Sequence, residues 1–190
     1  MRKVIVSNLM SLDGFFADKD GGLDWFQVDK EFLDYAAEML HEADTLLFGR
    51  ATYELMAAYW PTDQAGKDQF DIAERMNHLP KIVYSRTIKS PQWENSRLGA
   101  ADIGEEIASL KHNDGKPGKN LVILGSGTIV NQLTRLKLID EYRLFVHSVF
   151  LGEGKPVVGP IGDKLLLGLK SVRKFGTGLV MLTYTYNDPL

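Results

Sequence analysis

Apolar residues crowd the first segment, where Val4, Ile5, Val6, Leu9 and Met10 leave little polar alternation between Lys3 and Met10. Such a run predicts a strand of mostly buried type, as in a parallel sheet. A turn follows at Ser11 to Gly14. From Asp29 to Ala43 the spacing changes: Phe32, Leu33, Ala36, Met39 and Leu40 recur at helical intervals. This predicts an amphipathic helix, with Asp29 or a near neighbour capping its N-terminus. Thr45 to Phe48 is a short apolar run ending in Gly49, and Thr52 to Tyr59 resumes helical spacing until Trp60-Pro61 stops it.

Two further apolar runs repeat the pattern. Lys81 to Tyr84 follows Pro80, and Leu121 to Leu124 ends in Gly125-Ser126-Gly127 before a helical stretch from Thr128 to Leu136. Strands alternating with helices predict an α/β fold with a largely parallel sheet. Beyond Glu141 the character shifts to aromatic and β-branched residues. Tyr142 to Phe150, Leu165 to Lys174 and Gly178 to Tyr186 read as strands, the last two forming an antiparallel hairpin around Gly176-Thr177-Gly178. Asn113 to Lys119 reads as a surface loop. There is no internal repeat, and 190 residues fit one domain, 1–190.

Composition narrows the function classes. With 44% hydrophobic and 25% charged residues, the chain has the balance of an ordinary globular protein. A net charge of -3 offers no general attraction to nucleic acid or anionic membranes. The apolar start is broken by Ser7, Asn8 and Asp13, so it reads as neither a signal peptide nor a membrane span. The absence of cysteine excludes disulfides and thiolate chemistry. Cytoplasmic localisation is the default expectation. His41, His78, His112 and His147 show no paired spacing, and no metal site is expected.

Candidate chemistry collects at three strand ends. In LVILGSGTIVNQL, Gly125, Ser126 and Gly127 separate a buried strand from a helix. Free backbone N–H groups and the helix dipole there would attract a pyrophosphate, although glycines also make plain tight turns. In LLFGRATYE, Gly49 makes the turn, Arg50 offers a guanidinium that can grip a phosphate, and Thr52 can cap the helix and donate its hydroxyl. In VYSRT, Ser85 and Arg86 either meet the adenine end of a nucleotide or form a surface turn. Ligands of open α/β sheets bind beyond the carboxyl ends of the strands, so side-by-side strands would bring these groups together. No GxGxxG follows the first strand, so the nucleotide site would not be a Rossmann one.

The ordered set SLDGFFA, GLDW, LLFGRATYE, KIVYSRT, LVILGSGTIVNQL and DEYRLFVHSVFLGEGKPV resembles the dihydrofolate reductase superfamily. It is most similar to the reductase domain of the riboflavin-biosynthesis deaminase-reductase and its stand-alone relatives. The resemblance implies a three-layer dihydrofolate-reductase-like fold, with a central mixed, mostly parallel sheet of about eight strands flanked by helices. It implies NADPH as hydride donor, a small-molecule substrate and a homodimer. Gly49, Arg50 and Thr52 would meet the cofactor phosphates, with Arg50 at the 2′-phosphate. Ser85 and Arg86 would flank the adenosine, and Gly125, Ser126, Gly127 and Thr128 the pyrophosphate. Leu9 and Gly14 would line the substrate, together with Asp13.

The proton donor is open at this stage. Asp34 lies on the helix that carries the pterin-binding acid of the folate enzymes, sixteen positions before Arg50, but off the apolar stripe, where a solvated role is the alternative. Asp13 is its rival, and is equally a turn former. Trp25 either edges the substrate pocket or packs a loop onto the core. The H-x-E and PCxxC motifs of the zinc deaminase partner are absent. The expected activity is NADPH-dependent reduction of a pterin, pyrimidine or related heteroaromatic or carbonyl compound. The alternative is a nucleotide- or pterin-binding module without turnover. Leu165, Leu166, Leu167 and Leu169 are the apolar residues on which the homodimer expectation rests.

Overall fold

The computed structural model describes residues 1–112 and 118–186. The surface loop expected from Asn113 lies, at residues 113–117, outside the described residues. The strands are β1 (Val4–Met10), β2 (Phe15–Asp18), β3 (Ala43–Gly49), β4 (Lys81–Tyr84), β5 (Ser96–Leu98), β6 (Asn120–Leu124), β7 (Glu141–Val146), β8 (Gly154–Pro156), β9 (Gly168–Lys174) and β10 (Val180–Thr185). The helices are α1 (Lys30–His41), α2 (Arg50–Tyr59), α3 (Asp63–Asp68), α4 (Phe70–His78), α5 (Ile103–His112) and α6 (Gly127–Arg135).

Eight strands form one sheet in the order β5-β4-β3-β6-β1-β7-β10-β9, and β2 pairs with β8 in a separate antiparallel ribbon. In the main sheet only β10 runs against its neighbours. This is the α/β architecture expected, including the antiparallel C-terminal pair. Alternate residues of β3 divide between two layers. Leu46 and Phe48 join Met39 and Leu40 of α1 and Ile72 and Met76 of α4. Leu47 turns to the opposite face, among Ile107 of α5 and Ile129, Val130 and Leu133 of α6. A strand buried on both faces needs apolar side chains on both, which is why β1, β3 and β6 read as continuous runs.

Two boundaries differ most from expectation. The strand expected from Tyr142 to Phe150 stops at Val146, because His147 N–H makes a last bond to Met10 and the chain then turns. Phe150 is 73% exposed, so its apolar character does not mark a strand. The strand expected from Leu165 begins at Gly168. Elements the apolar pattern did not assign, among them α3, α4, α5 and the β2–β8 ribbon, complete the fold.

Candidate functional site

The strand-to-helix junctions β3–α2 and β6–α6 lie side by side at the carboxyl edge of the sheet, and they interlock. The Gly49 N–H donates to Ser126 Oγ at 3.0 Å, and the Ser126 N–H donates to Thr52 Oγ1 at 3.0 Å. Gly125 and Ser126 both take left-handed backbone angles, with φ of 63° and 55°. At Gly125 a Cβ would also stand 3.4 Å from the Thr52 side chain. At Gly127 a Cβ would lie 2.8 Å from the Phe16 ring, so glycine is favoured at 125 by its backbone angle and at 127 by the close approach of that ring.

The helix starts at these junctions differ from the others. α1 and α3 are capped by the side chains of Asp29 and Thr62. α1, α3, α4 and α5 each carry an acidic residue in the first turn. α2 and α6 have neither a side-chain cap nor a first-turn acid. The first N–H groups of a helix have no intrahelical partner, and they carry partial positive charge. Two such ends converge here. Arg50 adds a cation at the first position of α2, where a helix by itself favours an anion; it is 55% exposed and pairs with Glu54 at 3.2 Å.

A cleft of about 1340 Å³ runs along this edge. Gly49, Arg50, Thr52, Ser85, Arg86, Gly125, Ser126, Gly127, Thr128 and Leu9 all line it. Ser85 also orders its own turn, accepting N–H bonds from Thr87 and Ile88 at 3.1 and 3.0 Å. Thr52 does not cap α2, whose N-cap is Gly49. The part of the cleft between α1, α2 and α4 is apolar, walled by Leu33, Ala36, Met39, Met56, Ile72 and Met76, with Trp60 at its edge.

Four expected residues stay outside. Asp34 faces solvent, 59% exposed, with Lys30 Nζ 2.7 Å from its carboxylate. The preceding residue, Leu33, faces the cleft instead. Asp13 ties two loops together: it accepts the Ser11 hydroxyl at 2.6 Å and the N–H groups of Leu151 and Gly152 at 3.1 and 2.8 Å. These donors, Ser11 foremost, hold its carboxyl below the usual carboxylate range. Gly14 makes the adjoining turn with φ of 87°. Trp25 packs edge-on against His147 at 5.4 Å, while its neighbour Phe26 reaches the cleft. Among the described residues only one carboxylate lines the cleft, that of Asp20, against Arg50, Arg86, Arg135 and Lys155. Asn8, Phe16, Asn131 and Lys155 are lining residues that motif reasoning missed; Asn8 was detectable as a polar residue inside an apolar strand.

His147, 7% exposed, is buried with its Nε2 unpartnered, and burial lowers its pKa. An unfolded histidine titrates near about 6.5. Below that pH the unfolded chain takes up a proton before the folded one does, so this group costs stability as pH falls through the lowered value. Thermal melts from pH 7 to 5 are expected to decline more steeply for the wild type than for His147→Leu. Parallel curves would show that folding does not change the proton affinity of His147.

The geometry defines an α/β protein of dihydrofolate-reductase-like fold, in which two helix starts without side-chain caps stand at a strand edge that opens into an apolar cleft. Residues 2–181 match the RibD C-terminal domain, and the chain belongs to that family. It is 32% identical over 189 residues to the uncharacterized protein YyaP of Bacillus subtilis, covering 98% of this chain and 96% of that one. A crystal structure from Shewanella sp. PV-4, described as of a riboflavin biosynthesis protein, superposes with a TM-score of 0.74 at 24% identity, covering 99% of this chain and all of the other. Dihydrofolate reductase from Enterococcus faecalis, complexed with NADP(H) and RAB-propyl, superposes at 0.65 with 19% identity, covering 98% and 97%. Family and fold together point to a reductase.

Proposed function

We propose that this chain is an NADPH-dependent reductase acting on a pterin, pyrimidine or related heteroaromatic or carbonyl compound. The convergence of two uncapped helix N-termini beside Arg50 carries the reading, because it leaves paired donors and a cation for a dinucleotide's phosphates. Arg50 would hold the 2′-phosphate, Ser85 and Arg86 the adenosine side, and Gly125 to Thr128 the pyrophosphate. NADPH, when bound, supplies the hydride, and the chain supplies orientation and exclusion of water. The apolar walls from α1, α2 and α4 suit the faces of a flat ring. No acidic side chain of α1 lines the cleft, so the proton that completes reduction would come from water. A homodimer in the cytoplasm remains part of the reading, supported by the exposure of Leu166, Leu169 and Val172 at or beside the outer strand β9.

Titration with NADPH and NADH, followed by tryptophan emission, tests the cofactor. Trp60 lines the cleft, so saturable quenching by NADPH and weaker binding of NADH are expected. No binding of either would remove the reductase reading. The scarcity of cleft carboxylates favours a second reading, a nucleotide- or pterin-binding module without turnover. Affinity for NADPH with no oxidation of it across dihydrofolate, pterins and pyrimidine precursors would select that one.

A further inference from the structure

Asn8 occupies an unusual place for an amide. It sits in β1 between β6 and β7, only 1% exposed, in a strand that opens with the buried apolar residues Val4, Ile5 and Val6. Both of its side-chain polar atoms, Nδ2 and Oδ1, are buried with no hydrogen-bond partner among the described residues. A buried donor and a buried acceptor that are both unmatched cost stability, and folded proteins rarely leave such a pair uncompensated. Packing does not require the amide, because an apolar side chain of similar size would fill the position without that cost. Yet Asn8 lines the cleft.

Its position specifies what it can meet. In the parallel register Ser7 pairs with Leu124, and the Gly125 N–H lies 3.5 Å from the Ser7 carbonyl. Asn8 therefore stands one residue further along the neighbouring strand, about 4.8 Å across the sheet from the pyrophosphate turn. An asparagine amide presents an acceptor and a donor side by side, and its full complement is another amide edge. Resting on the NADPH reading above, we propose that Asn8 is a cofactor-positioning residue whose side-chain amide pairs with the carboxamide of the nicotinamide ring. This contact fixes the rotation of the ring at the mouth of the apolar chamber.

The test compares wild type with Asn8→Leu, using NADPH, 2′,5′-ADP, which lacks the nicotinamide end, and the 3-acetylpyridine analogue of NADPH, which lacks the amide N–H. Wild type is expected to bind all three, with NADPH preferred over the acetylpyridine analogue. Asn8→Leu is expected to weaken NADPH about tenfold, to leave 2′,5′-ADP unchanged, and to lose the preference for NADPH over the analogue. Its ligand-free melting temperature should equal or exceed that of wild type, since no internal bond is removed. Equal affinity of variant and wild type for NADPH, equal weakening toward NADPH and 2′,5′-ADP, or a preserved preference over the analogue would overturn the assignment. A wild type that binds neither NADPH nor 2′,5′-ADP would instead remove the cofactor reading itself.

Discussion

Replacing Arg50 with alanine is expected to weaken NADPH binding tenfold to a hundredfold and to change NADH binding far less. Arg50 is the first residue of α2, so its charge lies against the positive end of the helix dipole, where an arginine does nothing for the helix. Its one ion pair among the described residues, with Glu54, joins two half-exposed side chains and contributes little. What Arg50 offers is a guanidinium beside two open helix starts. A charge-assisted contact to the 2′-phosphate is worth about 1.5 to 3 kcal/mol, which sets the size of the expected loss. NADH has no 2′-phosphate, so its affinity measures whatever else the substitution disturbs. Equal weakening of both nucleotides in parallel titrations would sink the assignment of Arg50 to that phosphate.

Lys81→Met should cost about 3 kcal/mol of stability, because it removes three charge-assisted bonds from a buried ammonium to carbonyls. Lys81 opens β4 and is fully buried. Its ammonium donates to the carbonyls of Asn77, Leu79 and Glu94 at 2.9, 2.8 and 2.9 Å, and lies 4.4 Å from the centre of the Trp93 ring. Two of those carbonyls belong to the end of α4, which has no further turn to satisfy them. The knot also holds Trp93, whose indole N–H donates to Asn77 and whose backbone N–H donates to the Tyr53 hydroxyl. Three acceptors around one ammonium make the lysine a structural cap between α4 and the segment leading to β5. For a chain of this length the expected loss lowers the melting temperature by about 6 to 12 °C. A fall of only a degree or two would mean that water takes over the carbonyls.

Much of this was legible in the chain. The runs that became β1, β3, β4 and β6 each hold a block of consecutive apolar residues, Val4–Val6, Leu46–Phe48, Ile82–Val83 and Leu121–Leu124, and a strand covered by helices on both faces demands that. The turns at Gly49 and Gly125 could be read from the change of period around them. Asp29 as a cap was equally readable, and it accepts the Phe32 N–H at 2.8 Å. Some legible signals went unread: Ile103, Ile107 and Leu110 have helical spacing, and α5 is there. Others mislead. The apolar stretch after Val146 looks like strand, yet its backbone bonds to the Ser11 to Gly14 turn and its phenylalanine is exposed.

Side-chain roles were harder to read than backbone ones. A helix turns by about 100° per residue, so Asp34 and Leu33 differ completely in surroundings although they are adjacent. Which of the two meets the cleft depends on how α1 lies on the sheet. Asp13 could not be read as a tie to Leu151 and Gly152, because those partners are remote in sequence. Asn8 looked like a simple break in an apolar run until the surrounding strands showed that its amide is buried and unmatched.

The α/β class, the two glycine junctions and the cation after the first of them follow from short-range rules: periodicity, the φ angles that glycine tolerates, and what ends a helix. Packing of distant segments assigned the remaining roles. It set Leu33 rather than Asp34 against the cleft, closed Lys81 inside a cage of carbonyls, and brought Gly49 to Ser126 across seventy-seven positions of chain. A backbone conformation is decided largely by a residue and its neighbours. The partner of a side chain is decided by whichever element the hydrophobic core brings against it.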